Sequence, residues 1–347
     1  MIILADTVDV VIGVDPHKHT HTAAIVAAGT GKRLDSRTVN ADPVGFAQLL
    51  ETANGHVGSR CWVIEGCGSW GRGLAAWLQA NGETVREIDS PRRPARRMGK
   101  KDDDLDAVRA AREALGRGTL AEPRSTGDRD AVAALLVARR SAVEMAADTE
   151  RQLHALASTC PEQLARRLRD LKTHRLVSTC TRWRPTGEPA VVTIAGAMRT
   201  MARRINDLRA EAASHETTIS ELVEAWRPDL LELAGVGPIV AATVLVVWSH
   251  PGRVRNEAAF AMLAGVAPIP ASSGLTTRFR LNRRGDRHLN SALHIVAIQR
   301  QRHDPRTHAY FDKRRAEGKT DREIRRCLKR YIARELYRTL EKGLDNQ

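Results

Sequence analysis

The order of β-branched and amphipathic segments over the first 118 residues limits the folds open to this chain. Three short β-branched runs at 8–15, 21–28 and 33–40 are separated only by polar turns, which predicts three antiparallel strands. An Asp-Pro start and a glycine end predict a helix over 41–55. Strand-like and helix-like segments then alternate at 60–66, 69–82, 83–89 and 103–118. The expected order is therefore βββαβαβα.

This order resembles the RNase H/RuvC-like nuclease fold, in which an antiparallel meander is extended by βα units. We therefore expect an α/β domain over 1–122, whose site has to be argued separately from its fold. Residues 126–173, expected to be continuously helical, and 190–225 carry apolar residues at three- and four-residue spacing. This predicts a helical segment over 123–225, either a long hairpin or a coiled coil that mediates dimerisation. The remaining residues, 226–347, are predicted to form a mainly α-helical domain with a basic tail.

Four acidic residues fall at positions that meet in such a fold. Asp15 ends the first predicted strand, Glu65 ends the fourth, and Asp103 and Asp106 lie three apart on the third helix. Clustered carboxylates repel one another unless cations neutralise them, and two Mg²⁺ ions can clamp the attacking and leaving oxygens of a phosphodiester. The alternative is structural, since aspartates at 102–104 also favour a helix start. The four positions together favour a magnesium site.

Positive charge is concentrated in the last quarter of the chain. The net charge is +14, and residues 251–347 contain 22 Lys and Arg against 10 Asp and Glu. Such a region is typical of a nucleic-acid partner. The basic residues expected to hold phosphate lie before the acidic run and around the sequence "SSG": Arg92, Arg93, Arg96, Arg97, Lys100, Lys101, Arg278, Arg280, Arg283, Arg284 and Arg287.

The sequence "LAGVGPIVAATVL" (233–245) has the pattern of a helix-hairpin-helix. Gly235 and Gly237 would expose backbone N–H groups at a helix N-terminus, where phosphate binds readily. A plain turn between two helices is the equally weighted alternative.

Three further patterns resemble functional motifs but do not predict catalytic residues. "GCGSWG" (66–71) has the spacing of a dinucleotide-binding loop, but Glu65 would repel a pyrophosphate at its first glycine. His17, His19 and His21 alternate without a completing cysteine or carboxylate set, so a polar turn beside the active site is expected. The six tryptophans are scattered singly at core-like positions, and aromatic residues make up only 4%, so base stacking is not expected to dominate binding.

Cysteine usage and hydropathy favour a cytoplasmic protein. The five cysteines show no CxxC spacing, which is typical of reduced thiols. The longest apolar run, 239–248, is far shorter than the ~20 residues that span a bilayer. No membrane partner is expected.

Several motifs, taken in chain order, resemble the DEDD transposases of the IS110 insertion-sequence family. "GVDPHKHTHTAA" resembles the family's first Asp-bearing strand, "VIEGCGSWGRGLA" its Glu motif, and "KDDDLDA" its Lys-Thr-Asp-x-x-Asp-Ala motif. "LAGVGPIVAATVL", "FAMLAGVAPIPASSG" and "RRGDRHL" resemble its C-terminal transposase domain. The resemblance covers nearly the whole chain.

The resemblance implies a recombinase with a composite site. Asp15, Glu65, Asp103 and Asp106 would bind Mg²⁺, and Ser273 would form a transient phosphoserine link to DNA. It also implies an element-encoded noncoding guide RNA. We expect a homodimer or homotetramer, since long helical segments of this kind often dimerise, and a cytoplasmic, nucleoid-associated location. Asp102 stands where the family has Thr, Asn282 stands where Ser is usual, and Ser272 is an alternative nucleophile. A RuvC-like structure-selective nuclease and a non-catalytic nucleic-acid-binding protein are the competing interpretations.

Overall fold

The computed structural model describes residues 2–88, 103–184, 186–271, 279–280, 282 and 285–342. The chain forms two compact units. The N-unit comprises Met1–Thr126 with Ser249–Val254, and the C-unit comprises Gly127–Trp248 with Arg255–Gln347. The three-part division at 122 and 225 stays a prediction about domain organisation.

The N-unit is built on a five-stranded mixed sheet. Its elements are β1 (Val10–Pro16), β2 (Thr20–Ala27), β3 (Arg33–Asn40), α1 (Pro43–Asn54), β4 (Arg60–Glu65), α2 (Arg72–Ala80), β5 (Val85–Ile88) and α3 (Asp103–Leu115). The sheet order is β3-β2-β1-β4-β5, with β1–β2 and β2–β3 antiparallel and β1–β4 and β4–β5 parallel. The predicted element order is therefore present, and the sheet is consistent with an RNase H-like domain.

The side chains of β1 alternate between the two faces of the sheet, and helices cover both faces. Val10, Ile12 and Val14 belong to one buried cluster, which includes Phe46 of α1 and Leu74 of α2. Val11 belongs to the other cluster, together with the alanines of α3. Because successive side chains of a strand point to opposite faces, an unbroken apolar strand requires cover on both sides.

Gly13 is the point at which α3 comes closest to β1. A Cβ on Gly13 would lie 2.1 Å from the carbonyl oxygen of Ala107 and 2.9 Å from Cβ of Ala111. Ala107, Ala110, Ala111 and Ala114 are fully buried on the facing side of α3. Glycine on the strand and alanines on the helix thus set the distance between α3 and the sheet.

Residues Ser249–Val254 contribute to the N-unit from far along the sequence. The backbone N–H of Ser125 donates to the Ser249 hydroxyl at 2.9 Å, and Nε2 of His250 lies 3.0 Å from the carbonyl oxygen of Pro123. Arg253 lies 3.7 Å from the carboxylate of Glu87, next to the end of β5. The segment therefore adds hydrogen bonds and an ion pair to the N-unit.

The C-unit is mainly helical. Its elements are α4 (Asp128–Thr159), α5 (Glu162–Leu168), α6 (Thr173–Arg182), α7 (Pro189–Trp226), α8 (Pro238–Trp248), α9 (Glu257–Leu263), β6 (Ile269–Pro270), β7 (Phe279–Arg280), α10 (Arg287–His303), α11 (Pro305–Ala316) and α12 (Asp321–Lys342). Within the described ranges, no helix has the length and apolar character that a membrane span needs.

The helices α4 and α7 form a long antiparallel pair. Arg139 pairs with Glu216, and Arg209 pairs with Glu150. Residue numbers therefore increase along α4 in the direction in which they decrease along α7. The continuous helix expected over 126–173 is wrong in one respect, because α4 and α5 are separate helices within that range and α6 begins only at its last residue. Helix α4 ends at Thr159, since the residue before Pro161 is disfavoured in helical conformation.

Candidate active site

The parallel pairing of β1 and β4 brings Asp15 and Glu65 to one edge of the sheet. Val14 and Ile64 are paired in register, so the residues that follow them lie side by side at the carboxyl ends of the two strands. Asp15 is 9% exposed, although its charge would favour water. A buried carboxylate at a strand end indicates a functional site.

The first turn of α3 adds two carboxylates to this edge. Asp103 and Asp106 are one turn apart, and Arg109 donates to Oδ1 of Asp106 at 2.7 Å. Asp104 instead pairs with Arg33 on β3. The structure thus directs Asp103 and Asp106, rather than Asp104, toward the edge that holds Asp15.

His17 lies in the polar turn between β1 and β2, and its ring reaches the acidic cluster formed by Asp15, Glu65, Asp103 and Asp106. Its Nε2 is 3.1 Å from Oδ2 of Asp103 and 3.7 Å from Oδ2 of Asp15. The alternating histidines have separate environments, because His19 is exposed and His21 is buried against Phe46. The spacing of Asp15 and His17 does not predict this contact, because His17 follows the last residue of β1 and its direction depends on the turn.

Burial and like charge act together on Asp15. Burial raises the pKa of the Asp15 carboxyl above its usual value, and His17 opposes this rise. Glu65, Asp103 and Asp106 raise the same pKa further through their negative charge. The four carboxylates predicted from the sequence therefore interact at one site.

This donor set fits a hard divalent cation. One ligand atom each from Asp15, His17 and Asp103 can lie within 4.8 Å of the others. Carboxylate oxygens are the ligands that Mg²⁺ and Mn²⁺ prefer, and Mn²⁺ also accepts an imidazole nitrogen. Glu65 and Asp106 supply further oxygens beside this group. The cluster is a possible divalent-metal site because both its charge and its chemistry suit one.

Part of the predicted binding set lies outside the described residues. These residues are Ser272, Ser273, Arg92, Arg93, Arg96, Arg97, Lys100, Lys101, Arg278, Arg283 and Arg284. Two arginines of the predicted set lie within the described residues, and both are exposed: Arg280 in β7 and Arg287 at the start of α10.

The Gly235–Gly237 loop leads directly into α8 and packs on α10. Gly235 has a φ of +78°, which favours glycine, and its Cα faces Val296 and Gln299. The loop borders a pocket of about 780 Å³ that is also lined by Arg139, Arg300 and His303. A phosphate-binding role for the two glycines stays a prediction.

A row of three arginines on α12 was not singled out from the sequence. Arg330, Arg334 and Arg338 lie 3.6, 3.1 and 3.5 Å from the carboxylate of Glu257 on α9. Their four-residue spacing places them on one side of the helix. One carboxylate cannot balance three guanidinium groups, so this face keeps a net positive charge.

Comparison with known proteins places both halves of the chain in one group. A family model described as a transposase, of the DEDD type of IS110, matches residues 12–161. A second, described as the transposase IS116/IS110/IS902 family, matches residues 228–312. The two matches do not overlap, and together they cover more than half of the chain.

Two relatives come from insertion elements. The 43.6 kDa protein of insertion element IS110 from Streptomyces coelicolor is 29% identical over 45% of this chain and 39% of its own length. The 42 kDa protein of insertion element IS900 from Mycobacterium paratuberculosis is 30% identical over 34% of this chain and 31% of its own length. The aligned region thus spans well under half of either relative. Since the two family models match in the order that the motifs predict, the chain belongs to the IS110 family of transposases.

Proposed function

We propose that this protein is a DNA recombinase that excises and inserts a mobile element by cleaving and rejoining DNA strands. The observation that carries the proposal is the convergence of Asp15, Glu65, Asp103 and Asp106 at one edge of an RNase H-like sheet. Membership of a transposase family supports DNA as the substrate.

The carboxylate cluster is proposed to hold Mg²⁺, with two ions per site. The metal would stabilise negative charge on the scissile phosphate. Asp15, Glu65, Asp103 and Asp106 would hold it, and Arg109 would orient Asp106 through its 2.7 Å hydrogen bond. His17 would keep Asp103 in place from the side.

Ser273 is proposed as the nucleophile of the strand exchange, on the strength of the family resemblance. Its Oγ would bond to phosphorus while a strand oxygen leaves and takes up the serine proton. A strand hydroxyl would then displace the serine, so the exchange consumes neither water nor a high-energy cofactor. Ser272, the neighbouring serine, is the alternative nucleophile.

The proposed partners extend beyond the element ends and the target DNA. The family resemblance supports a noncoding guide RNA from the same element, a homodimer or homotetramer, and a cytoplasmic, nucleoid-associated location. The arginine row on α12, with Arg280 and Arg287, offers backbone-reading surfaces for such nucleic acids.

The proposal is tested by junction-spanning PCR for excised circles in cells that express the gene with its native flanking DNA. We expect circles from the wild type and none from Asp15→Asn or Ser273→Ala. Asp35→Asn is the matched control, because Asp35 is half-exposed on β3 and lies in the same unit. Ser272→Ala distinguishes the two serines. Circles from Ser273→Ala at the wild-type level would remove that residue from the mechanism.

The two competing functions give different patterns. A structure-selective nuclease would leave water-cleaved ends and would tolerate Ser273→Ala. A non-catalytic binding protein would bind nucleic acid equally well after loss of all four carboxylates and without Mg²⁺.

A further inference from the structure

Trp70 is an exposed tryptophan at the rim of the acidic cluster. It lies in the loop between β4 and α2, and 58% of its surface is accessible. Its ring stands edge-on to His17, with the ring centres 6.4 Å apart. His17 in turn contacts Asp15 and Asp103. The His17 ring thus lies between the indole of Trp70 and the carboxylates.

Packing does not explain why tryptophan stands here. Trp62 and Trp248 are fully buried, and each donates its indole N–H to a glutamate at 2.8 Å. Trp70 instead leaves most of a large apolar surface in water, which is unfavourable in the free protein. Its position next to the carboxylates suggests that a ligand covers this ring.

The loop that carries Trp70 is held by backbone contacts. Gly66 has a φ of +70°, and the backbone N–H and hydroxyl of Ser69 both donate to its carbonyl oxygen at 3.0 Å. A Cβ on Gly71 would lie 2.6 Å from Ile64 and 3.1 Å from Pro16, so the end of the loop is pressed against the sheet. A defined loop can present an aromatic face at low entropic cost.

A cation flanks the same loop. Nη1 of Arg124 would lie 3.5 Å from a Cβ placed on Gly68, so its guanidinium is against the loop backbone. Within the part of the chain that the structure describes, the buried Nε of Arg124 has no hydrogen-bond partner. A planar guanidinium is the side chain best suited to a phosphate.

We propose that Trp70 stacks on an unpaired DNA base next to the phosphate held at the carboxylates, and that Arg124 binds a neighbouring phosphate. This inference rests on the proposed function and names how the same site holds its substrate strand. An aromatic face accepts any base, so Trp70 would position the strand without reading its sequence. The loop "GCGSWG" (66–71), which has the spacing of a dinucleotide-binding loop, would thereby contact single-stranded DNA.

The test measures binding of a single-stranded oligodeoxynucleotide by the full-length chain in a Ser273→Ala background, which removes the proposed nucleophile and leaves the four carboxylates intact. Trp70→Ala should weaken binding roughly 5- to 150-fold, the range for one base–aromatic stack. Trp70→Phe should recover most of the affinity, whereas Trp70→Met, which is apolar without a ring, should not. Binding of the oligonucleotide should quench indole fluorescence more strongly in the chain that keeps Trp70 than in the chains in which Trp70 is replaced.

Two further measurements distinguish single-stranded DNA from duplex DNA and from RNA as the ligand of Trp70. A blunt duplex of equal length should quench Trp70 less than the single strand, and Trp70→Ala should weaken binding of an oligoribonucleotide no more than it weakens binding of DNA. Equal affinity of the Trp70→Ala and unsubstituted chains, equal rescue by Met and Phe, or a larger loss for RNA than for DNA would each overturn the inference. Loss of circles from Asp15→Asn reports on the proposed function separately, because that assay does not depend on Trp70.

Discussion

At the residue scale, the site shows which contacts a sequence can predict. The placement of four carboxylates at one edge of the sheet could be predicted, because each falls at a strand end or in a helix's first turn: Asp15, Glu65, Asp103 and Asp106. The contact of His17 with Asp103 depends on side-chain direction at the end of β1, which spacing alone leaves open. The exposure of Trp70 was missed for a similar reason, since its neighbours in sequence resemble a helix start.

Asp15 destabilises the metal-free protein, because burial and three neighbouring carboxylates oppose its charge. Asp15→Asn should therefore raise the Tm in metal-free buffer at neutral pH by about 2–4 °C, which corresponds to ~1 kcal/mol. Mg²⁺ or Mn²⁺ should stabilise the wild type, by ~2.7 kcal/mol at 100 times the Kd, and should have little effect on the variant. Thermal melts with and without metal measure both effects.

Asp35→Asn serves as the control for this prediction, because Asp35 is outside the cluster and half-exposed. Its melts should respond to metal as those of the wild type do. A metal-induced shift of equal size in Asp15→Asn would contradict the proposed metal site.

At the element scale, the order of strands and helices was predictable because each segment has its own periodicity and turn residues. The meeting of the acidic positions at one place was inferred only through resemblance to a fold, and the close approach of α3 to β1 was not predicted. The break in the helical segment could have been predicted from Pro161, whose effect on the preceding residue is local. Packing between distant segments, such as that of Ser249–Val254, has no comparable local signal.

Gly13 determines how close α3, and with it Asp103 and Asp106, can come to Asp15. Gly13→Ala forces a Cβ to within 2.1 Å of the Ala107 carbonyl oxygen, so α3 has to move. We expect a loss of about 1–3 kcal/mol in the free energy of unfolding, together with loss of excised circles. Thermal melts and the junction PCR measure the two effects.

Gly29→Ala is the matched control for the glycine substitution. A Cβ on Gly29, in the turn between β2 and β3, meets nothing within 4 Å. Its stability and its circle yield should match those of the wild type. If Gly13→Ala behaved in the same way, close packing of α3 would not be required for the site.

At the scale of the whole molecule, charge is distributed unevenly. Four carboxylates converge in the N-unit, whereas most of the excess positive charge lies in the last quarter of the chain. On α12 the acidic side chains are engaged elsewhere: Glu335 pairs with Arg300, and Glu341 accepts from Trp248. Among the residues that the structure describes, Glu257 is the carboxylate that all three arginines of the row approach.

The arginine row should contribute phosphate contacts, which weaken as salt rises. The double substitution Arg334→Gln and Arg338→Gln should reduce the slope of log K against log [salt] by about 2, because each lost contact removes roughly 0.9. Filter binding to duplex DNA over a range of salt concentrations measures the slope.

Arg151→Gln is the control for the charge substitutions, because Arg151 is 71% exposed on α4 and pairs with Asp148. It removes a surface charge without touching α12. An unchanged slope in the double variant would show that DNA does not contact this helix.

The Ser249–Val254 segment has a consequence for the order of events during synthesis. The N-unit cannot acquire its Ser125–Ser249 and Glu87–Arg253 contacts until the ribosome has made residue 254. At 5–20 residues per second, the 128 residues between 126 and 254 take roughly 6 to 26 s. For that time the nascent N-unit lacks these contacts, so it is completed only after helices α4 to α8 of the C-unit have been translated.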